Sequence, residues 1–174
     1  LKPLHDSQIA IEVLNHFKGS RGIWIHRQCA DVVNSHQTYY KHDFREYLKP
    51  LFSGNELSWQ TQNLDAEMLA FVRSFQLESL TSADAYALFW LARNSLFFSQ
   101  RDERIMPLSF DILVNNPDAW LEPIGRHIRM DLHPWAARLV DNRSRARKLN
   151  LTDARIEAAV KRMEEQLAAV SQLP

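Results

Sequence analysis

Apolar residues recur at helical spacing at Ile9, Val13, Leu14 and Phe17, which predicts a helix over 5–17. Lys18-Gly19-Ser20-Arg21-Gly22 breaks that pattern and predicts a tight turn, since two of the four glycines fall in it. Ile23-Trp24-Ile25-His26 follows as a short β-rich run of the kind a buried parallel strand shows. Helical spacing resumes at Asp31 and runs through Val32, Val33, Tyr39 and Tyr40 towards Tyr47. Pro50, Ser53, Gly54 and Asn55 predict a loop over 50–59. Helices are predicted over 64–75 and 82–100, the second opened by the cap-like Thr81-Ser82-Ala83-Asp84 and apolar on more than one face. Ile105 to Phe110 reads as a second strand, with Pro107 inside it as a missing donor. A helix over 117–128 carries Trp120, Leu121, Ile124 and Ile128 on one face, and 133–149 is irregular. The last helix, over 152–170, aligns Ile156, Val160, Met163, Leu167 and Val170 in a narrow seam for packing on the domain or on a partner. Helix, turn, strand and helix in succession predict an α/β fold with a parallel sheet.

The composition places the whole of 1–174 in one folded domain. A chain of 20.3 kDa with 45% hydrophobic and 24% charged residues can bury a core and is not of the disordered class. Lys+Arg and Asp+Glu are both 21, so no net charge draws the chain to a nucleic-acid polymer or an anionic membrane. No apolar run approaches the ~20 residues that span a bilayer. The single cysteine, Cys29, excludes an internal disulfide and a zinc ribbon, and permits the cytoplasm, the expected compartment. Cys29 lies beside Arg27 but has no His/Asn arrangement of a nucleophile. The histidine pairs 36/42 and 127/133 lack carboxylates on the same face, and no metal site is read. The chain opens on Leu1 with residues that already read as structured, so a native N-terminal part is expected to precede it.

Chemistry concentrates between Gly22 and His36. Ligands of open α/β sheets bind beyond the carboxyl ends of the strands. Arg27 stands at such an end and offers a cationic fork suited to phosphate. Ser35, eight residues later on the next helix, can donate its hydroxyl to the same group. An ion pair of Arg27 with a nearby aspartate, and a solvated Ser35, account for the same residues without a ligand.

The strand, Arg27, Asp31-Val32-Val33 and Ser35 resemble the 3′-phosphate-binding segment of the PAPS-dependent sulfotransferases. Arg104 to Pro117, with Phe110-Asp111-Ile112-Leu113, resembles that family's later strand and its Tyr-Glu-Asp-Leu segment; Phe110 replaces the tyrosine, Asp111 the glutamate and Ile112 the aspartate. The resemblance implies a nucleotide-kinase-like (P-loop type) three-layer sandwich, a central parallel sheet flanked by helices. It implies transfer of a sulfuryl group from PAPS to a hydroxyl or amine acceptor, with no metal required. It assigns Arg27 and Ser35 to the 3′-phosphate and Phe110 to a wall against the base. Arg143 and Arg145, in a basic stretch with Arg147 and Lys148, would come over the same phosphate. Lys2 would lie near the phosphosulfate, and His5 or Asp6, in Leu1-Lys2-Pro3-Leu4-His5-Asp6, would take the acceptor proton. The family's phosphosulfate loop is not found in these residues, so the sheet is expected to lack its N-terminal strand and loop. Two other readings share the fold: a non-catalytic interaction module using the C-terminal seam, and a P-loop kinase relative.

Overall fold

Gly19, with φ at 77°, turns the chain from the first helix into the first strand, and Ser20 Oγ donates to the Leu14 carbonyl across that turn. The computed structural model describes residues 7–39, 43–54, 58–140 and 149–172. After a 3-10 turn at Ser7–Ile9 come α1 (Ala10–His16), β1 (Gly22–His26), α2 (Cys29–Tyr39), α3 (Arg45–Ser53), α4 (Ala66–Arg73) and α5 (Ser82–Ser99). Then follow β2 (Ile105–Ser109), α6 (Phe110–Asn115), α7 (Pro117–Ile128), a 3-10 turn at Pro134–Leu139 and α8 (Ala154–Val170). Among the described residues this is a helix-rich α/β fold with a two-stranded parallel sheet.

The sheet register runs from Gly22 opposite Ile105 to His26 opposite Ser109. Gly22 N–H donates to the Arg104 carbonyl at 2.8 Å, which sets the phase of the ladder. In a parallel pair only alternate residues face a given neighbour. Arg104, Met106 and Leu108 therefore face β1, while Pro107 turns its missing N–H away from it. That is why a proline fits in this strand. By the same alternation the N–H and C=O groups of Ile23 and Ile25 point to the outer side of β1, and the Ile25 side chain is 55% exposed.

α5 is the central element of the core. It is buried from Asp84 to Phe97 almost without a break, because α2, α3, α4 and α8 all pack on it. Trp24 of β1 meets Phe97 of α5 with ring centroids 5.8 Å apart. The seam of α8 is spent within the domain: Ile156, Val160, Met163 and Leu167 are all buried, and α8 lies against α5 and β2. Of the two surfaces the seam suits, the domain or a partner, these four residues meet the domain. The loop expected from Pro50 is corrected, since α3 continues through Pro50 to Ser53 and ends at Gly54, with φ at 71°. Leu48 and Leu51 on its inner face are fully buried, and their burial outweighs the hydrogen bond that Pro50 removes.

α7 is placed by His127. Its Nε2 lies 2.9 Å from the Gly22 carbonyl and 3.1 Å from the Arg104 carbonyl, so this nitrogen carries the proton and donates to both. α7 consequently ends at the amino ends of the strands. It stops where Arg129 takes a left-handed conformation and Met130 N–H returns to the Gly125 carbonyl at 2.9 Å. A Cβ on Gly125 would stand 2.6 Å from the Met130 carbonyl oxygen, so only glycine fits without moving backbone. Gly125→Ala is expected to lower stability by about 1–3 kcal/mol, read as a fall in the urea midpoint with unchanged slope.

Candidate functional site

The arginine at the end of β1 is held from three sides. Its Nη2 donates to Asp31 Oδ2 at 2.9 Å, its guanidinium carbon lies 4.7 Å from the centre of the Phe110 ring, and its backbone carbonyl accepts the Trp90 indole N–H at 3.2 Å. Each contact follows from the chain around it. Asp31 lies in the first turn of α2, where a carboxylate also suits the helix dipole. Phe110 opens α6 directly after β2, so the parallel register carries its ring to the same end of the sheet as Arg27. Trp90 comes from the core helix α5. The Arg27 side chain is 22% exposed, whereas that of Asp31 is buried.

Ser35 stands one helical turn beyond Asp31 on α2, so Asp31 and Ser35 share one stripe of the helix, the stripe that begins at Arg27. The structure thus brings Arg27, Asp31 and Phe110 into contact and leaves Ser35, half-buried, one step further along. The ion pair weighed from the sequence is formed, and Phe110 meets the arginine face-on. Lys2, His5, Asp6, Arg143 and Arg145 lie outside the described residues, as does Tyr40.

One neighbour of the site carries no signal in the sequence. Glu164, on α8, accepts the Cys29 N–H at 2.9 Å and so satisfies the first donor of α2. Burial raises the Glu164 carboxyl above the usual carboxylate range, the Cys29 N–H pulls it back, and the Asp111 and Asp31 carboxylates add to the rise. Nothing distinguishes Glu164 from the other acids of an amphipathic helix until the packing of α8 is known. Cys29 itself is buried, and burial with the adjacent Glu164 charge pushes its thiol up, so it is an inert core group rather than a nucleophile.

His26, the last residue of β1, shares a hydrogen bond of 2.7 Å with the Ser171 hydroxyl at the end of α8. Burial pushes His26 down to about 4 from its ordinary 6.5. The unfolded chain therefore takes up a proton near pH 6.5 that the folded chain refuses until near pH 4. Stability contributed by neutral His26 is full above 6.5 and is lost as the pH falls through that window. The expected loss is about 1–2 kcal/mol after allowance for solvent screening. A urea series between pH 7 and pH 4.5 reads it, and His26→Gln should flatten the slope.

Among the described residues, no group of three or more His, Cys, Asp or Glu side chains is placed to hold a metal ion, and no helix is long and apolar enough to cross a membrane. Comparison with family models, curated proteins and solved structures finds no match to the chain.

Proposed function

We propose that the carboxyl end of the β1–β2 sheet binds the 3′-phosphate of PAPS, and that the chain belongs to a sulfotransferase moving the sulfuryl group from PAPS to a hydroxyl or amine acceptor. The observation that carries this reading is the fixed arginine fork. Arg27 is positioned at a strand end by Asp31, Phe110 and Trp90, partly open to solvent, with Ser35 along the same stripe. A guanidinium held in this way loses little freedom on meeting a phosphate, and a hydroxyl one turn on can add a charge-assisted hydrogen bond. In the reaction the acceptor oxygen or nitrogen bonds to sulfur, the bond from sulfur to the 5′-phosphate oxygen breaks, and adenosine 3′,5′-bisphosphate leaves. The acceptor proton passes to a base, the role proposed for His5. Lys2 is proposed for the transferring group, and Arg143 and Arg145 for the 3′-phosphate.

The finer fold belongs to the same proposal. A nucleotide-kinase-like three-layer sandwich places a further parallel strand beside β1. The outward N–H and C=O groups of Ile23 and Ile25, and the exposed Ile25 side chain, support an added strand there. Calorimetric titration with adenosine 3′,5′-bisphosphate, with adenosine 5′-monophosphate as control, tests the reading. Tighter binding of the bisphosphate is expected. Equal affinities, or no binding by the folded chain, would remove it.

A further inference from the structure

The start of α7 and the Pro134–Leu139 turn enclose an open cleft of about 520 Å³, separate from the Arg27 contacts. Its lining combines one aromatic side chain with charged and polar ones. Trp135 is 51% exposed there, flanked by Pro117 and Pro134, with His133, Asp118 and Arg138 around it. The indole is presented by a fixed backbone. Pro134 follows His133, and His133 Nδ1 accepts the Trp135 backbone N–H at 3.2 Å, while the His133 ring stands 6.1 Å from the indole. With Nδ1 accepting, Nε2 is the ring nitrogen left to donate.

We infer that this cleft binds a saccharide. A pyranose ring has an apolar face of C–H groups and an edge of hydroxyls that both donate and accept. The cleft presents one exposed aromatic plane for the face. For the edge it offers an acceptor in Asp118 and donors in Arg138 and His133. Both signs of charge in one small lining suit a neutral polyol better than an anion or a cation, and the volume admits two linked rings. The inference does not depend on the nucleotide reading, since it is tested on its own residues.

The test is heteronuclear NMR of the Trp135 indole N–H during titration with maltose, cellobiose and N,N′-diacetylchitobiose, with adenosine as the nucleobase arm. The other four tryptophans are buried or half-buried, so the exposed indole is separable. At least one disaccharide is expected to shift it with low-millimolar affinity. Trp135→Ala should abolish binding, Trp135→Phe should keep part of it, and Asp118→Asn should weaken it by roughly tenfold, about 1.4 kcal/mol. Both positions are exposed, and circular dichroism checks that each variant is folded. The inference is overturned if none of the disaccharides moves the indole resonance, if adenosine moves it at lower concentration than any of them, or if Trp135→Ala binds as tightly as the parent chain.

Discussion

Arg27→Lys is expected to weaken binding of adenosine 3′,5′-bisphosphate by ten- to about a hundredfold while changing the affinity for adenosine 5′-monophosphate little. A lysine keeps the positive charge and can still pair with Asp31, so the fold and the net field are preserved. It loses the planar fork, the stack on Phe110 and the rigid position that go with a guanidinium. One or two charge-assisted hydrogen bonds to phosphate, each about 1.5–3 kcal/mol, are then replaced by a point charge on a flexible stem. Arg27→Ala is the harsher change and the less clean one. It leaves Asp31 as a buried carboxylate without its cation, a loss that costs about 3–5 kcal/mol where a buried pair is broken and somewhat less here, because Arg27 is partly solvated. Calorimetry on the lysine variant with both nucleotides therefore decides the role of Arg27. An equal loss for the two ligands, or none for either, would confine Arg27 to pairing with Asp31.

What the sequence made legible follows from the range of the forces involved. The turn at Gly19, the cap at Thr81 and the strand at Gly22–His26 are set by neighbours a few residues away, and each stands where the pattern puts it. The pairing of Arg27 with Asp31 is of the same local kind, an i,i+4 contact. Pro50 misled because a local breaker yields when Leu48 and Leu51 on the same turn gain full burial, and that gain comes from distant helices. The seam of α8 was visible, but not which surface it would meet. Glu164 on the Cys29 N–H, His127 across two strand carbonyls and the cleft at Trp135 join residues far apart in the chain. No periodicity encodes such contacts. The local pairing of Arg27 with Asp31 and the place of Ser35 further along α2 were legible in the sequence, whereas what α6 and α8 bring to them was not.

The largest expected effect on stability comes from Asp84, a 1% exposed carboxylate at the start of α5. It ties three pieces of chain together. Thr81 Oγ1 donates to its Oδ2 at 2.6 Å, and the Thr152 amide donates to its Oδ1 at 2.9 Å. The Thr152 hydroxyl donates to Oδ2 in a short contact, and Thr81 Oγ1 in turn caps the Asp84 N–H at 3.1 Å. Burial opposes its ionisation, yet the Thr152 and Thr81 hydroxyls and the Thr152 and Asp153 amides outweigh burial and hold its carboxyl below the ordinary range. The bonds to Thr152 fix the chain two residues before α8, so the same carboxylate seats the buried row Ile156, Val160, Met163 and Leu167 on the core. Asp84→Ala removes the acceptor and leaves the Thr152 N–H and two hydroxyls without it. The expected cost is about 3–4 kcal/mol, a fall in Tm of about 8–12 °C for a chain of this size. Asp84→Asn keeps the volume and one carbonyl acceptor, and should lose about half as much. Since the folded carboxyl titrates below the unfolded one, this stabilisation is complete above the ordinary carboxyl value and disappears as the pH falls through the folded value. The gap between wild type and Asp84→Ala should accordingly close in acid. Hydrogen exchange adds a local reading: amides of α8 should lose protection in Asp84→Ala before those at the middle of α5. A change in Tm of less than about 3 °C, or uniform loss of protection, would show that α8 is seated by its apolar seam alone.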